Sequence, residues 1–182
     1  GTTPAEVHSV LGGKNAFYIL EVHGNILDTN IMDVYARLGE LNLILPDLPP
    51  RGGIYKPVRQ AGNCLYVSGQ GPTRDGAPVF AGKVGAERTI EEGQEAARIC
   101  ALNALSNLND FLGNLNKIKG VIKTLGFVQS AAGFNQQPKV IDGASSLLKD
   151  IWGEDGVGAR SAIGVNELPG NISVEIEFIF EI

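Results

Sequence analysis

The sequence predicts an α+β sandwich, a mixed sheet with two helices packed on one face. Three observations carry that expectation. Two stretches, Thr89 to Phe111 and Pro138 to Trp152, repeat apolar residues at three- and four-residue spacing, as helices with one buried face require. Short β-rich runs bounded by Gly, Pro and Asn turns lie before, between and after them. The final run alternates Val174, Ile176, Phe178 and Phe180 with Glu175, Glu177 and Glu181, the period of two that marks a half-buried strand.

Taken in order, residues 1–31 read as an N-terminal extension, and residues 32–182 as the folded domain. Within the extension, Ala16 to Val22 has the length and composition of a strand, and a processed leader is the competing reading. Met32 to Leu43 carries Val34, Leu38 and Leu41 at helical spacing and predicts a short helix. Pro46, Pro49, Pro50 and Gly52-Gly53 then impose an extended connector. Tyr55 to Gln60 and Cys64 to Gln70 read as strands joined by a turn at Ala61-Gly62-Asn63, and Arg74-Asp75-Gly76 marks another turn. Thr89 and Glu92 have the spacing of a capping box, and Gly113 supplies a stop for the long helix. Lys119 to Val128, Ala159 to Val165 and Ser173 to Ile182 complete the strands, giving the order β-β-α-β-α-β-β.

The chain has 182 residues and a formal charge of −5, enough length for one domain with a real core. Its only histidines are His8 and His23, so no His-based triad, Cys-His pair or His zinc motif can arise later in the chain. Cys64 and Cys100 are isolated, which argues against a zinc cluster or disulfide framework and suits a reducing compartment such as the cytoplasm. No apolar run reaches the roughly 20 residues of a membrane span. The acidic balance and the lack of a Lys/Arg cluster argue against nucleic-acid binding. Gly69-Gln70-Gly71 lacks the Lys and Ser/Thr of a phosphate loop and reads as turn chemistry.

Arg160 and Glu175 are the residues with chemistry to offer. Arg160 opens the penultimate strand, and Leu168 to Asn171 turns the chain back, so a hairpin could bring Arg160 near the Glu175 strand. An arginine can clamp a carboxylate bidentately, and a nearby glutamate can hold or deprotonate a water. On composition and spacing alone, an ion pair across the hairpin or a solvated carboxylate face is the better account of these two residues.

Tyr55, the Ser68-Gly69-Gln70 strand end, Ala159-Arg160-Ser161, and Leu168-Pro169 followed by Val174 to Glu177 together resemble the reactive-intermediate deaminase family (RidA, YjgF-type, also labelled endoribonuclease L-PSP). The surroundings of Phe127 and the run Gln137 to Ser145 resemble a branch with an additional N-terminal helix. The resemblance spans about residues 33–182. It implies a chorismate-mutase-like fold of the bacillus type and a homotrimer with ligand clefts between subunits. It also implies hydrolysis of enamines and imines such as 2-aminoacrylate and 2-iminopropionate to 2-keto acids and ammonia, with no cofactor or metal. By the same resemblance, Arg160 holds the substrate carboxylate and Glu175 positions the water. Ser68 and Gly69 orient the substrate, while Tyr55 and Phe127 line the cleft. Ala162 stands where many members have Cys, and Pro138 near where some have a ligand-contacting Asn; both bear on substrate preference. A non-catalytic small-carboxylate binder and an endoribonuclease are the alternatives carried by the same scaffold.

Overall fold

The computed structural model describes residues 7–10, 17–22, 25–29 and 33–182. Strands β1 (Val7–Val10), β2 (Phe17–Val22) and β3 (Asn25–Thr29) form an antiparallel sheet in the order β1-β2-β3. The strand expected over Ala16 to Val22 is therefore present as β2, Ala16 itself lying outside the described residues. Met32, where the first helix was expected to begin, also lies outside them. Helix α1 covers Val34–Glu40, shorter than its apolar spacing implied. Asp33 caps it by accepting from the Tyr35 amide, and Asn42, at φ 54°, turns the chain away after it.

The main sheet contains β4 (Val58–Ala61), β5 (Cys64–Gln70), β8 (Gly120–Gln129), β9 (Ala159–Val165) and β10 (Val174–Glu181), with β6 (Thr73–Arg74) and β7 (Ala77–Pro78) forming a small hairpin beside it. Its order is β4-β5-β10-β8-β9. Only β8 and β9 run parallel; every other neighbour is antiparallel. The terminal strand β10 thus sits at the centre of the sheet. Its strict alternation explains the placement: Val174, Ile176, Phe178 and Phe180 are all buried at 2% exposure or less. A central position covers both edges of that apolar row, whereas an edge would leave a run of backbone donors and acceptors unpaired.

Helices α2 (Ile90–Leu112) and α3 (Gln137–Trp152) cover one face of the sheet. The capping box at Thr89 and Glu92 forms as expected, and Gly113 ends α2 in the left-handed region at φ 72°. Small residues let the two helices approach closely. A Cβ at Gly143 would overlap the Gln94 backbone carbonyl, and one at Gly93 would meet Val140 at 3.0 Å. Ala97, Ala101 and Ala104 of α2 are fully buried, and the Cys100 thiol reaches the Val174 carbonyl on β10 at 3.7 Å. The other face of the sheet is left open by these helices, and the site is built there.

Candidate functional site

Residues paired across strands point to the same face, so the register sorts the side chains. On the open face, Glu175 of β10 stands beside Phe127 of β8, which stands beside Ile163 of β9. Farther along, Arg59, Tyr66, Ile179 and Lys123 form a second row across four strands. Tyr66 and Ile163 are 48% and 45% exposed, large apolar surfaces on a face that neither α2 nor α3 covers.

The two rows flank a β-bulge. Ile176 pairs with Gln70 and Phe178 with Val67, so Ser68 and Gly69 together oppose the single residue Glu177. Bulges bend a strand and re-aim its side chains. Here the bulge brings bare backbone against Glu175: a Cβ on Gly69 would lie 2.9 Å from the Glu175 carboxyl carbon. That close approach is the physical reason for glycine at this position. Burial holds the Glu175 carboxyl above its usual range, and the like charge of Glu177 on the same face adds to the shift. A half-buried carboxylate raised in this way is a better proton acceptor near neutral pH than an exposed one.

Ser68 anchors the segment before β4. Its hydroxyl donates to the Lys56 carbonyl at 2.7 Å, and its amide donates to the Pro57 carbonyl at 2.9 Å. Tyr55, at the start of that segment, accepts from the Gly52 amide through its hydroxyl at 3.2 Å and is 43% exposed. Ser68, Gly69, Phe127 and Glu175 therefore gather on one stretch of open face, with the Tyr55 segment tied to it through Ser68. A hollow of 670 Å³ adjoins them, lined by Ser68, Glu177, Tyr66 and three cations, Lys56, Arg59 and Lys123.

Arg160 lies elsewhere. It pairs with Thr124, which pairs with Phe178, and both partners belong to the helix-covered face. Its Nη1 donates to Asp142 at 2.7 Å and to Ser145 at 3.2 Å, both on α3. The hairpin expected between the Arg160 and Glu175 strands does not exist, because β8 separates β9 from β10. The apolar alternation of β10 drew it to the sheet centre, and β9 became an edge strand parallel to β8. Neither the clamp-and-water pair nor an ion pair between these two residues forms within one chain. Ala162, which pairs with Gly126, shares the face of Arg160, and Pro138 lies in the first turn of α3.

Several contributors were not picked out as site residues from the sequence. Asp142 and Ser145, three apart on α3, hold Arg160; their helical spacing in the run after Gln137 was the available signal. Gln129, fully buried, accepts from the Leu168 amide at 2.7 Å and donates to Asn171 at 2.8 Å, fixing the loop that feeds β10. A lone Gln at a strand end carries no pattern that announces this. The cations of the 670 Å³ hollow are scattered over three segments and become neighbours only through the sheet.

With this geometry in place, comparison with known proteins decides the family. Residues 35–181 match the model described as "YjgF/chorismate mutase-like, putative endoribonuclease". The chain belongs to the YjgF/RidA family. Its α+β sandwich is the chorismate-mutase-like fold of that family, as the resemblance implied. Among YjgF/RidA relatives, the Trypanosoma cruzi protein TCP17 is 39% identical over 150 residues, covering 82% of this chain and 94% of the relative. The crystal structure of Atu1372 from Agrobacterium tumefaciens, a protein of unknown function, is 43% identical, with a TM-score of 0.76 over 82% of this chain and 92% of that one. A Shewanella oneidensis family member, described as a "putative endoribonuclease", is 32% identical with a TM-score of 0.79, covering 82% and 99% of the two chains. Among the described residues no helix is long and apolar enough to cross a membrane.

Proposed function

We propose that this YjgF/RidA chain hydrolyses small enamine and imine acids to 2-keto acids and ammonia, in clefts completed by a second copy of the chain. The observation that carries the reading is the carboxyl of Glu175, half-buried against bare Gly69 backbone and held above its usual protonation range. Water attached to such a carboxylate can lose a proton as its oxygen attacks the imine carbon. The carbinolamine then expels ammonia, leaving the keto acid, so atoms balance with water as the only co-reactant. A protonated imine is already electrophilic, and about 4 kcal/mol of help from positioning gives roughly a thousandfold acceleration.

Arg160 supplies the carboxylate clamp in this reading. Asp142 and Ser145 hold only Nη1, and Nε and Nη2 have no partner among the described residues. That edge of the guanidinium has the geometry for a bidentate carboxylate. Since Arg160 and Glu175 occupy opposite faces of one sheet, they meet on one substrate only across a subunit boundary. The homotrimer implied by the family resemblance supplies such boundaries.

The test uses imino acids generated in situ by an amino-acid oxidase, with keto-acid release followed directly. Arg160→Ala and Glu175→Gln are each expected to abolish acceleration while folding normally. Mixing the two inactive variants under subunit exchange should restore part of the activity, since some clefts then combine an intact Arg160 with an intact Glu175. Full activity in Arg160→Ala overturns the clamp, and failure of mixed variants to regain activity overturns the shared cleft. Binding of 2-ketobutyrate with no acceleration by the wild type would make the chain a carboxylate-binding protein instead. RNA cleavage that persists through purification and is lost in Arg160→Ala would favour the nuclease alternative.

A further inference from the structure

The 670 Å³ hollow on the open face is of a size that takes small organic ligands, with more room than a three-carbon imino acid fills. Its charge is unlike that of the rest of the chain. The protein carries a net −5, yet Lys56, Arg59 and Lys123 line this hollow against the single carboxylate of Glu177. None of these three cations forms an ion pair among the described residues, whereas Arg37, Arg74, Lys83, Arg88, Lys149 and Arg160 each reach a carboxylate at 3.4 Å or less. Cations that the fold holds together without a counter-ion repel one another, and an anion entering among them relieves that repulsion.

The hollow begins beside the proposed reaction centre. Ser68, part of its lining, precedes Gly69, whose bare backbone meets the Glu175 carboxyl. The Ser68 hydroxyl donates to the Lys56 carbonyl at 2.7 Å, which ties Lys56 to that centre. The other two cations stand farther out. Ile179 pairs with Lys123 and with Tyr66, and Tyr66 pairs with Arg59, so their row lies four residues along β10 from Glu175. At about 3.3 Å per residue that is roughly 13 Å, a span that the long Lys and Arg stems shorten. Between the two ends the lining includes Leu125, Ile179 and Tyr66, a surface suited to methylene groups.

We infer that the hollow receives the second carboxylate of an imino dicarboxylate with two or more methylenes beyond the imine carbon, the 2-iminoglutarate class. The inference rests on the deaminase reading for the chemistry at Glu175 and adds which substrates the site takes. The first carboxylate meets Arg160 of the partner subunit, and the imine carbon faces the water at Glu175. The methylenes cross the apolar lining, and the second carboxylate enters among the cations, where Arg59 offers a planar fork. Water remains the only co-reactant, and the products are a 2-keto dicarboxylate and ammonia.

Two keto acids of equal chain length isolate the second carboxylate: 2-oxoglutarate and 2-oxopentanoate, titrated calorimetrically into the full chain. 2-Oxoglutarate is expected to bind at least about tenfold tighter, an advantage that shrinks as NaCl is raised. Lys56→Ala combined with Lys123→Ala should weaken 2-oxoglutarate at least about fivefold and remove most of the advantage. Arg59→Gln, on a separate strand, should act in the same direction. The matching imines, generated by oxidases from glutamate and norvaline, should follow the same order in kcat/KM. Absence of 2-oxoglutarate binding, equal binding of the two acids, or an advantage kept in both variants would each overturn the inference. Hydrolysis of both imines without the preference leaves the deaminase reading standing and removes this one. A binding preference with hydrolysis of neither imine removes the deaminase reading and keeps the hollow as a dicarboxylate site.

Discussion

At the scale of single residues, Glu175 links stability to the proposed chemistry. Its folded-state pKa lies above the unfolded value because burial disfavours the charged carboxylate. The folded state therefore holds its proton more tightly. The contribution to stability is fully present below the ordinary carboxylate pKa and is lost as pH rises through the raised value. Glu175→Gln should consequently melt at a higher temperature than the wild type at pH 8, with the difference vanishing near pH 4. A constant difference across that range would assign the effect to packing. Gly69→Ala is the companion test. The added methyl must displace the Glu175 carboxyl, so acceleration should fall at least about tenfold, the effect of misplacing a reacting group, while the fold stays intact by circular dichroism. Ser173 gives the opposite kind of prediction. Its buried hydroxyl has no partner among the described residues, so Ser173→Ala should leave stability unchanged or raise it by up to about 1 kcal/mol in urea unfolding.

At the scale of elements, α2 is determined locally and its packing is not. The Thr89–Glu92 capping box, the alanine-rich face and the Gly113 stop all agree with one another, and the helix begins and ends where they place it. Thr89→Ala should cost about 1 kcal/mol by loss of the cap, measurable as a lowered urea midpoint. Gly143 shows the other side. In the sequence it is a poor residue for the middle of a helix, where exposed Gly→Ala ordinarily stabilises. In the fold its Cα presses on the Gln94 backbone, and Gly143→Ala should destabilise by about 1–3 kcal/mol through overpacking. The sign of that change separates helix propensity from interhelical contact. The β5 bulge was equally invisible beforehand: Cys64 to Gln70 reads as an ordinary strand, and only pairing with β10 exposes the extra residue at Ser68–Gly69.

For the whole molecule, the decisive feature among the described residues is a sheet with one face covered by α2 and α3 and the other left open by them. Open-face residues such as Ile163 and Tyr66 remain well exposed in the single chain. The proposed shared clefts require that another copy cover part of this surface. Ile163→Asp should then convert the assembly to folded monomers, detected by light scattering, and abolish imine hydrolysis although neither Arg160 nor Glu175 is touched. An assembly that keeps its mass and activity in this variant would place the subunit contact elsewhere.

What the sequence determined by itself was everything set by short-range pattern. The spacing of apolar residues located α2, α3 and the main-sheet strands, except that β4 begins at Val58, leaving Tyr55 to Pro57 in the connector rather than in the expected strand; the alternation in Val174 to Glu181 put Glu175 and Glu177 on one face and the core on the other. The order of residues along the chain also carried the family, because the Tyr55, Ser68, Arg160 and Glu175 segments taken together resemble it and the family model matches residues 35–181. Strand adjacency was beyond its reach. A turn at Leu168 to Asn171 looks like a hairpin, yet β10 crosses to the centre of the sheet because its unbroken apolar row gains more from two neighbours than from one. That single topological choice put Arg160 with Asp142 and Ser145 on the helix side and left Glu175 with Gly69 and Phe127 on the other. The chemistry of each group could be read from its residue type; which groups stand together was decided only when the strands were ordered.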